Sequence, residues 1–188
     1  MYNYYYQEQN FEDRRQAKYA LVAYLPLELD KIVAPLREKY DPLYDQIASH
    51  VTIVFPFETD RPLENIVGII GREISIEMEI KLELGSITDF YPATPVICWE
   101  VKKNEQLTSL YFRLYSRLGL TLPLKDYQPH VTIAREISHH RVLLVKEKIV
   151  PYLPLERFVI SSLDLITPLA ESKWVSVRTF PLLKIDTD

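Results

Sequence analysis

One tetrapeptide, His-Val-Thr-Ile, occurs twice in this chain, at His50–Ile53 and again at His130–Ile133. The protein has only four histidines, and two of them lie inside these copies. A strand turns successive side chains to opposite faces, so the His and Thr of each copy share one face. Val and Ile then share the other, where a core can bury them. Each copy therefore reads as a strand that presents one imidazole and one hydroxyl to a cavity. Two such strands side by side assemble two acid/base groups and two hydroxyl donors, a set sufficient for metal-free cleavage of a phosphate ester.

The surroundings of the two copies repeat as well. In the first half, Tyr19–Leu25 is apolar and β-prone. Leu29, Ile32, Val33 and Leu36 follow at helical spacing, ending before Asp41-Pro42. The segment His50–Phe57 reads as a strand stopped by Pro56 and the Thr59–Pro62 turn. Leu63, Ile66, Val67 and Ile70 mark a second helix, and Glu79–Phe90 a third strand. After the turn Tyr91–Pro95 the order restarts with the strand Val96–Val101. Asn104 is placed to cap a helix carrying Leu107, Leu110, Tyr111, Leu114 and Leu118, with Gly119 just past its end. The strand His130–Arg135 comes next. Ser138 is placed to cap a helix through Ile149, before strands at Phe158–Ile166 and Trp174–Leu182.

The first strands of the halves start 77 positions apart, and the motif histidines 80 apart. Two copies are too few for a solenoid, so the repeat predicts two pseudo-symmetric lobes, about 19–90 and 96–182, in one domain over 17–188. A pseudo-twofold relation would bring the two motif strands to equivalent places around one cleft. Residues 1–16 stand apart: four of the first six are tyrosines, and the stretch is polar without periodicity. It reads as an extension that is disordered or packed on the surface.

Composition narrows the function classes. Hydrophobic residues make up 47% and charged residues 26%, a soluble globular balance. No apolar run is long enough to span a membrane and no signal-peptide pattern opens the chain. The single Cys98 excludes an internal disulfide, so a reducing, cytoplasmic setting is expected. Cys98 itself sits in an apolar run and reads as a small buried hydrophobe. A net charge of −4 argues against coating duplex nucleic acid, but not against holding a small nucleotide or an RNA end. With four glycines and no phosphate cradle, the chain lacks the signature of nucleotide-triphosphate use.

His50-Val51-Thr52-Ile53 and His130-Val131-Thr132-Ile133 resemble the paired His-x-Thr-x motifs of the 2H phosphoesterase superfamily. Their contexts, Val51–Phe57 and Pro129–Arg135, look most like its 2′-5′ RNA ligase-like branch. The likeness spans roughly Tyr19 to Leu182. It implies an α+β bilobal fold with antiparallel-rich sheets lining a central cleft and helices outside. It also implies metal-independent cleavage of a 2′,3′-cyclic phosphate or 2′-5′ phosphodiester in RNA or a small nucleotide, with no cofactor.

Histidine titrates near pH 6.5, so one ring can be neutral and the other protonated at working pH. His50 and His130 would then exchange protons with the attacking and departing oxygens, and Thr52 and Thr132 would donate to the non-bridging oxygens. Which histidine is base stays open. Arg135 is a candidate for substrate phosphate, although alternation sets it opposite His130. Tyr127 is placed to line the cleft mouth or stack on a base, and Trp174 and Arg178 to touch substrate from the last strand. His139, His140, Lys125 and Asp126 carry no assigned chemistry. A zinc site on the two histidines lacks the further ligands zinc wants. Two other readings remain beside this one: a module that binds RNA ends or nucleotides without turnover, and the same chemistry on a non-nucleotide phosphodiester.

Overall fold

In the computed structural model, which describes residues 16–90, 92–169 and 173–184, strands and helices alternate from the start. Their order is β1 (Ala17–Tyr24), α1 (Leu27–Tyr40), β2 (His50–Thr59), α2 (Leu63–Ile74), β3 (Ile80–Asp89), β4 (Ile97–Val101) and α3 (Glu105–Leu118). They continue with β5 (His130–Ala134), α4 (Val142–Ile149), β6 (Arg157–Ile160), β7 (Ser162–Leu169) and β8 (Lys173–Pro181). Apart from Gln16, the Tyr-rich extension lies outside the described residues.

The local signals act where elementary rules place them. Asn104 Oδ1 accepts the Leu107 N–H at 2.9 Å and starts α3. Gly119 ends it in the left-handed region at φ 67°, which costs glycine nothing for want of a Cβ. In α2, Ile66, Ile70 and Ile74 stack on one buried face.

Three expectations need correction. Pro56 does not stop its strand: Tyr19 pairs with Phe57 and Leu21 with Val54, so Pro56 falls in an irregularity where its missing N–H breaks no ladder bond. Ser138 makes no side-chain cap, because a 3₁₀ turn at His139–Arg141 intervenes before α4. The strand expected at Phe158–Ile166 is two strands. Phe158 and Ile160 are buried on even positions, Leu163 and Leu165 on odd ones, and the phase breaks at Ser161.

The eight strands form one antiparallel sheet in the order β6-β3-β4-β5-β2-β1-β7-β8. The order reads symmetrically outward from the β2–β5 junction, with β1 and β4 next to it on either side. The chain segments 19–90 and 96–182 do not map onto the two halves of this sheet. β3 pairs with β4, and β7 pairs with β1, so the first segment sends β3, and the second sends β7 and β8, to the other's half. All four helices pack on one apolar cluster with the inner face of the sheet, including Val51, Ile53, Val131 and Ile133. The opposite face carries the four His and Thr side chains of the two motifs and a small cluster of Ala20, Val22 and Ile166.

Candidate active site

β2 and β5 meet antiparallel at Val51 and Val131, both fully buried on the helix side. One step to either side of this pair sets His50 beside Thr132 and Thr52 beside His130. The four motif side chains thus share the open face, each histidine next to the other motif's threonine, and all four are partly exposed. On the outer flanks, Tyr24 of β1 lies opposite His50, and Glu100 of β4 lies opposite His130.

The two imidazoles are held alike. His50 Nδ1 lies 2.8 Å from the Ala48 carbonyl oxygen, and His130 Nδ1 lies 2.8 Å from that of Gln128. A carbonyl oxygen only accepts, so Nδ1 carries hydrogen in both rings. When the ring is neutral, the lone pair is left on Nε2. Two rings presenting Nε2 from one face can each take or give a proton there.

Their electrostatic settings differ. Burial pushes the His50 imidazole down to about 4. The Ala48 carbonyl opposes this, and Arg37, Arg135 and His130 add to it. His130 is also held below its ordinary value by burial, with Gln128 opposing and Arg135 adding. The arginines come from a cluster behind the first motif. Arg37 of α1 is 3% exposed, and its Nε donates to Asp41 Oδ2 at 3.1 Å. Arg37 also donates to the Ile47 carbonyl at 2.8 Å, which pins the loop that delivers His50. Arg135 pairs with the other oxygen of Asp41 at 2.8 Å, and its N–H donates to Tyr40 O. Two guanidiniums thus share one carboxylate and leave a positive balance near His50.

Arg135 lies just past the end of β5, turned to Asp41. Tyr127 donates its hydroxyl to Thr52 O at 2.9 Å and stacks on Tyr111 with ring centroids 4.1 Å apart. Its ring borders the space beside His130. Trp174 pairs with Pro168 and packs on Ala20, Val22 and Ile166, a small cluster on the motif face. Arg178 pairs with Leu165, a main-core residue, which registers it to the face turned away from the histidines. His139 and His140 sit in the 3₁₀ turn. Cys98 is fully buried and its thiol is pushed up to about 12, so it packs as a small hydrophobe.

Sequence reasoning missed Tyr24, Phe90, Arg37 and Asp41. Phe90 meets the His130 ring edge-on at 5.0 Å, and Tyr24 does so to His50 at 6.4 Å. Their only sequence signals are those of a strand end and a helix end, which say nothing of what they touch. Among the described residues no group of three or more His, Cys, Asp or Glu is placed to hold a metal ion. None of the described helices is long and apolar enough to cross a membrane.

Known proteins resemble this chain in sequence and in fold. The model of the 2′-5′ RNA ligase superfamily matches residues 25–170. A Bacillus pumilus protein named "Putative phosphoesterase" is 31% identical over 171 residues, covering 88% of this chain and 97% of its own length. A similarly named protein from Bacillus licheniformis is 32% identical over 124 residues, 64% of this chain and 72% of its own. Crystal structures of Escherichia coli LigT share the fold. The complex with 3′-AMP has a TM-score of 0.64 at 16% identity, covering 89% of this chain and 98% of LigT. The complex with ATP has a TM-score of 0.62 at 15% identity, covering 90% and 99%.

Proposed function

Because the chain belongs to the 2′-5′ RNA ligase superfamily and is a phosphoesterase of the 2H type, we propose that it cleaves a 2′,3′-cyclic phosphate or 2′-5′ phosphodiester. The substrate is RNA or a small nucleotide, and the catalysts are His50 and His130 without a metal. The mirrored Nδ1–carbonyl contacts are the observation that carries this reading. They orient two Nε2 atoms as proton carriers on one face, which bland packing gives no reason to do twice. LigT has been crystallised with 3′-AMP and with ATP, which supports a nucleotide as the ligand class here.

In the proposed reaction one neutral imidazole takes the proton of the attacking water at Nε2. The other, protonated, gives its Nε2 proton to the oxygen that leaves phosphorus. Each transfer supplies about 10²–10⁴-fold in rate. Thr52 and Thr132 donate their hydroxyls to the non-bridging oxygens as charge builds there. The β-branched threonine suits the role, since its restricted χ1 holds the hydroxyl in place on a strand. The Arg37–Asp41–Arg135 cluster adds positive potential at the site of an anionic substrate.

The test is hydrolysis of nucleoside 2′,3′-cyclic phosphates by wild type, His50→Ala and His130→Ala, each with and without chelator. The expected outcome is activity in the wild type, unchanged by chelator, and a loss of at least about 10²-fold in each variant. Equal activity in the three proteins would end the acid/base proposal. Chelator-sensitive activity would end the metal-free one.

A further inference from the structure

The two motif strands are joined to their outer neighbours more firmly than to each other. β1 is registered on β2 along its length, from Ala17–Thr59 to Tyr24–His50, and β4 on β5 from Ile97–Ala134 to Glu100–His130. Between β2 and β5, among the described residues, the register is the single pair Val51–Val131. One antiparallel pair is a pivot. It sets where the strands meet and leaves them free to splay on either side. The imidazoles and hydroxyls sit one residue to each side of this pivot, where splay changes their spacing.

Side chains close both ends of the junction. In an antiparallel pair the residues before His50 lie beside those after Thr132, and the residues before His130 beside those after Thr52. At the first end Asp41, whose side chain is fully buried, joins the strands. Arg37 Nε donates to Asp41 Oδ2 at 3.1 Å, and Arg37 also reaches Ile47 O at 2.8 Å and Ser49 Oγ at 3.4 Å. Ile47 and Ser49 flank Ala48, whose carbonyl holds the His50 ring. Asp41 Oδ1 pairs with Arg135 Nε at 2.8 Å, directly after β5. At the second end the Tyr127 hydroxyl donates to Thr52 O at 2.9 Å. Tyr127 precedes Gln128, whose carbonyl holds the His130 ring. The Tyr127 ring is stacked on Tyr111 of α3, and burial pushes its phenol up, so the donor keeps its proton. Each tie ends beside the carbonyl that orients one imidazole.

We propose that Asp41 and Tyr127 are positioning residues: acting through Arg37, Arg135 and the Thr52 carbonyl, they fix the spacing of the two motif strands and bring both imidazoles and both hydroxyls onto one phosphorus. The proposal rests on the phosphoesterase reading above and adds the residues that hold its geometry. Neither residue touches substrate in this role. A misplacement of about 1 Å at the reacting atoms costs about 10²-fold in rate, and a pivot of one residue pair does not resist it. The two ties differ in kind, one a buried ionic bridge and the other a neutral hydroxyl, so they respond to different substitutions.

Tyr127→Phe keeps the stack on Tyr111 and loses only the hydroxyl, so its melting temperature should fall by no more than about 4 °C. On nucleoside 2′,3′-cyclic phosphate its kcat should fall at least about tenfold, with KM within about threefold of wild type. A kcat within about twofold of wild type, or a loss carried by KM, overturns the role of Tyr127. Arg135→Gln unties the other end and should show the same split, as should Asp41→Asn if it folds. A loss carried by KM would make Arg135 a substrate contact and overturn the tie at Asp41. Ring NMR titration of His50 reads that tie without turnover. The charged groups facing His50 are Arg37 of α1, Arg135 after β5 and His130 of β5, with Tyr24 of β1 edge-on to it. Asp41→Asn leaves two guanidiniums unopposed, so His50 should titrate lower than in wild type. Arg135→Gln removes one of them, so His50 should titrate higher. A general loosening of the fold would expose the ring and raise it in both variants, and that result overturns the proposal. If the titrations move apart as stated but wild type hydrolyses no cyclic phosphate, the phosphoesterase reading fails and the tie stands.

Discussion

The two His-Val-Thr-Ile strands are identical in spelling, yet they sit in different company. Both bury their Val and Ile, and both hold Nδ1 at 2.8 Å from the carbonyl two residues back. Beyond that the likeness stops. His50 is backed by Arg37, Asp41 and Arg135 and covered by Tyr24. His130 is braced by Phe90 and opens on two cavities. Local sequence reproduces local geometry, while the surroundings of each copy are set by the strands and helices that flank it. A duplicated motif is therefore a pair of matched tools in unmatched hands, and substitutions should separate what is shared from what is not.

The largest difference should appear at Asp41, which has no counterpart described behind His130. Asp41→Ala leaves Arg37 buried without its carboxylate. Removing one partner of such a pair costs about 3–5 kcal/mol, so the variant should melt well below wild type. A melting temperature within a degree of wild type would show that the cluster contributes nothing to holding the first motif.

Next come the shared threonines. Removing one donor to a developing oxyanion costs about 10²–10³-fold in kcat. Thr52→Val and Thr132→Val should each lose that much with KM little changed, since their backbone places are kept. A loss confined to one of them would make the oxyanion site one-sided.

The third effect is in pH. His50 has its folded pKa depressed to about 4 from an ordinary value near 6.5. The unfolded chain then binds the proton more readily than the folded one between these values. Stability should accordingly rise as pH increases from about 4 to about 6.5, by at most about 3 kcal/mol from this group. Denaturant midpoints across that range should show a shallower rise in His50→Gln. His130 is depressed in the same direction, so His130→Gln should also flatten the curve. A steeper dependence in either variant would contradict the burial argument.

The smallest effect belongs to Arg178, which the register turns away from both histidines. Arg178→Ala should leave kcat/KM on the cyclic phosphate within about twofold, whereas a tenfold loss would bring β8 into the site.

Much of the fold could be read ahead of the coordinates. Asn104 and Gly119 act as caps for reasons contained in their own chemistry, and the isoleucine spacing of α2 suffices for an amphipathic helix. Misreadings occurred where a neighbour overrides a local rule. Pro56 is tolerated because β1 accommodates an irregularity opposite it. Phe158–Ile166 reads as one strand because apolar residues flank Ser161 on both sides with no proline or glycine between them, although the burial phase changes at Ser161 and the two pieces join opposite halves of the sheet. At the candidate site, alternation alone gave the face that the His and Thr of each motif share. Arg37 was not evident in this way, since an arginine at helical spacing looks like any solvated arginine until Asp41 and Arg135 close over it.

What the sequence determined by itself is whatever depends on a few consecutive residues: the order of elements, their caps, the face each motif residue takes, and the acid/base and hydroxyl groups they offer. What only the tertiary structure decided is adjacency. β2 lies against β5, β3 crosses to β4, and β7 crosses to β1, and these pairings place a buried carboxylate behind one histidine and an aromatic cavity beside the other. The physical reason is range. Alternation and capping act over one to four residues, whereas strand pairing and burial join residues tens of positions apart and are selected by the packing of the whole core.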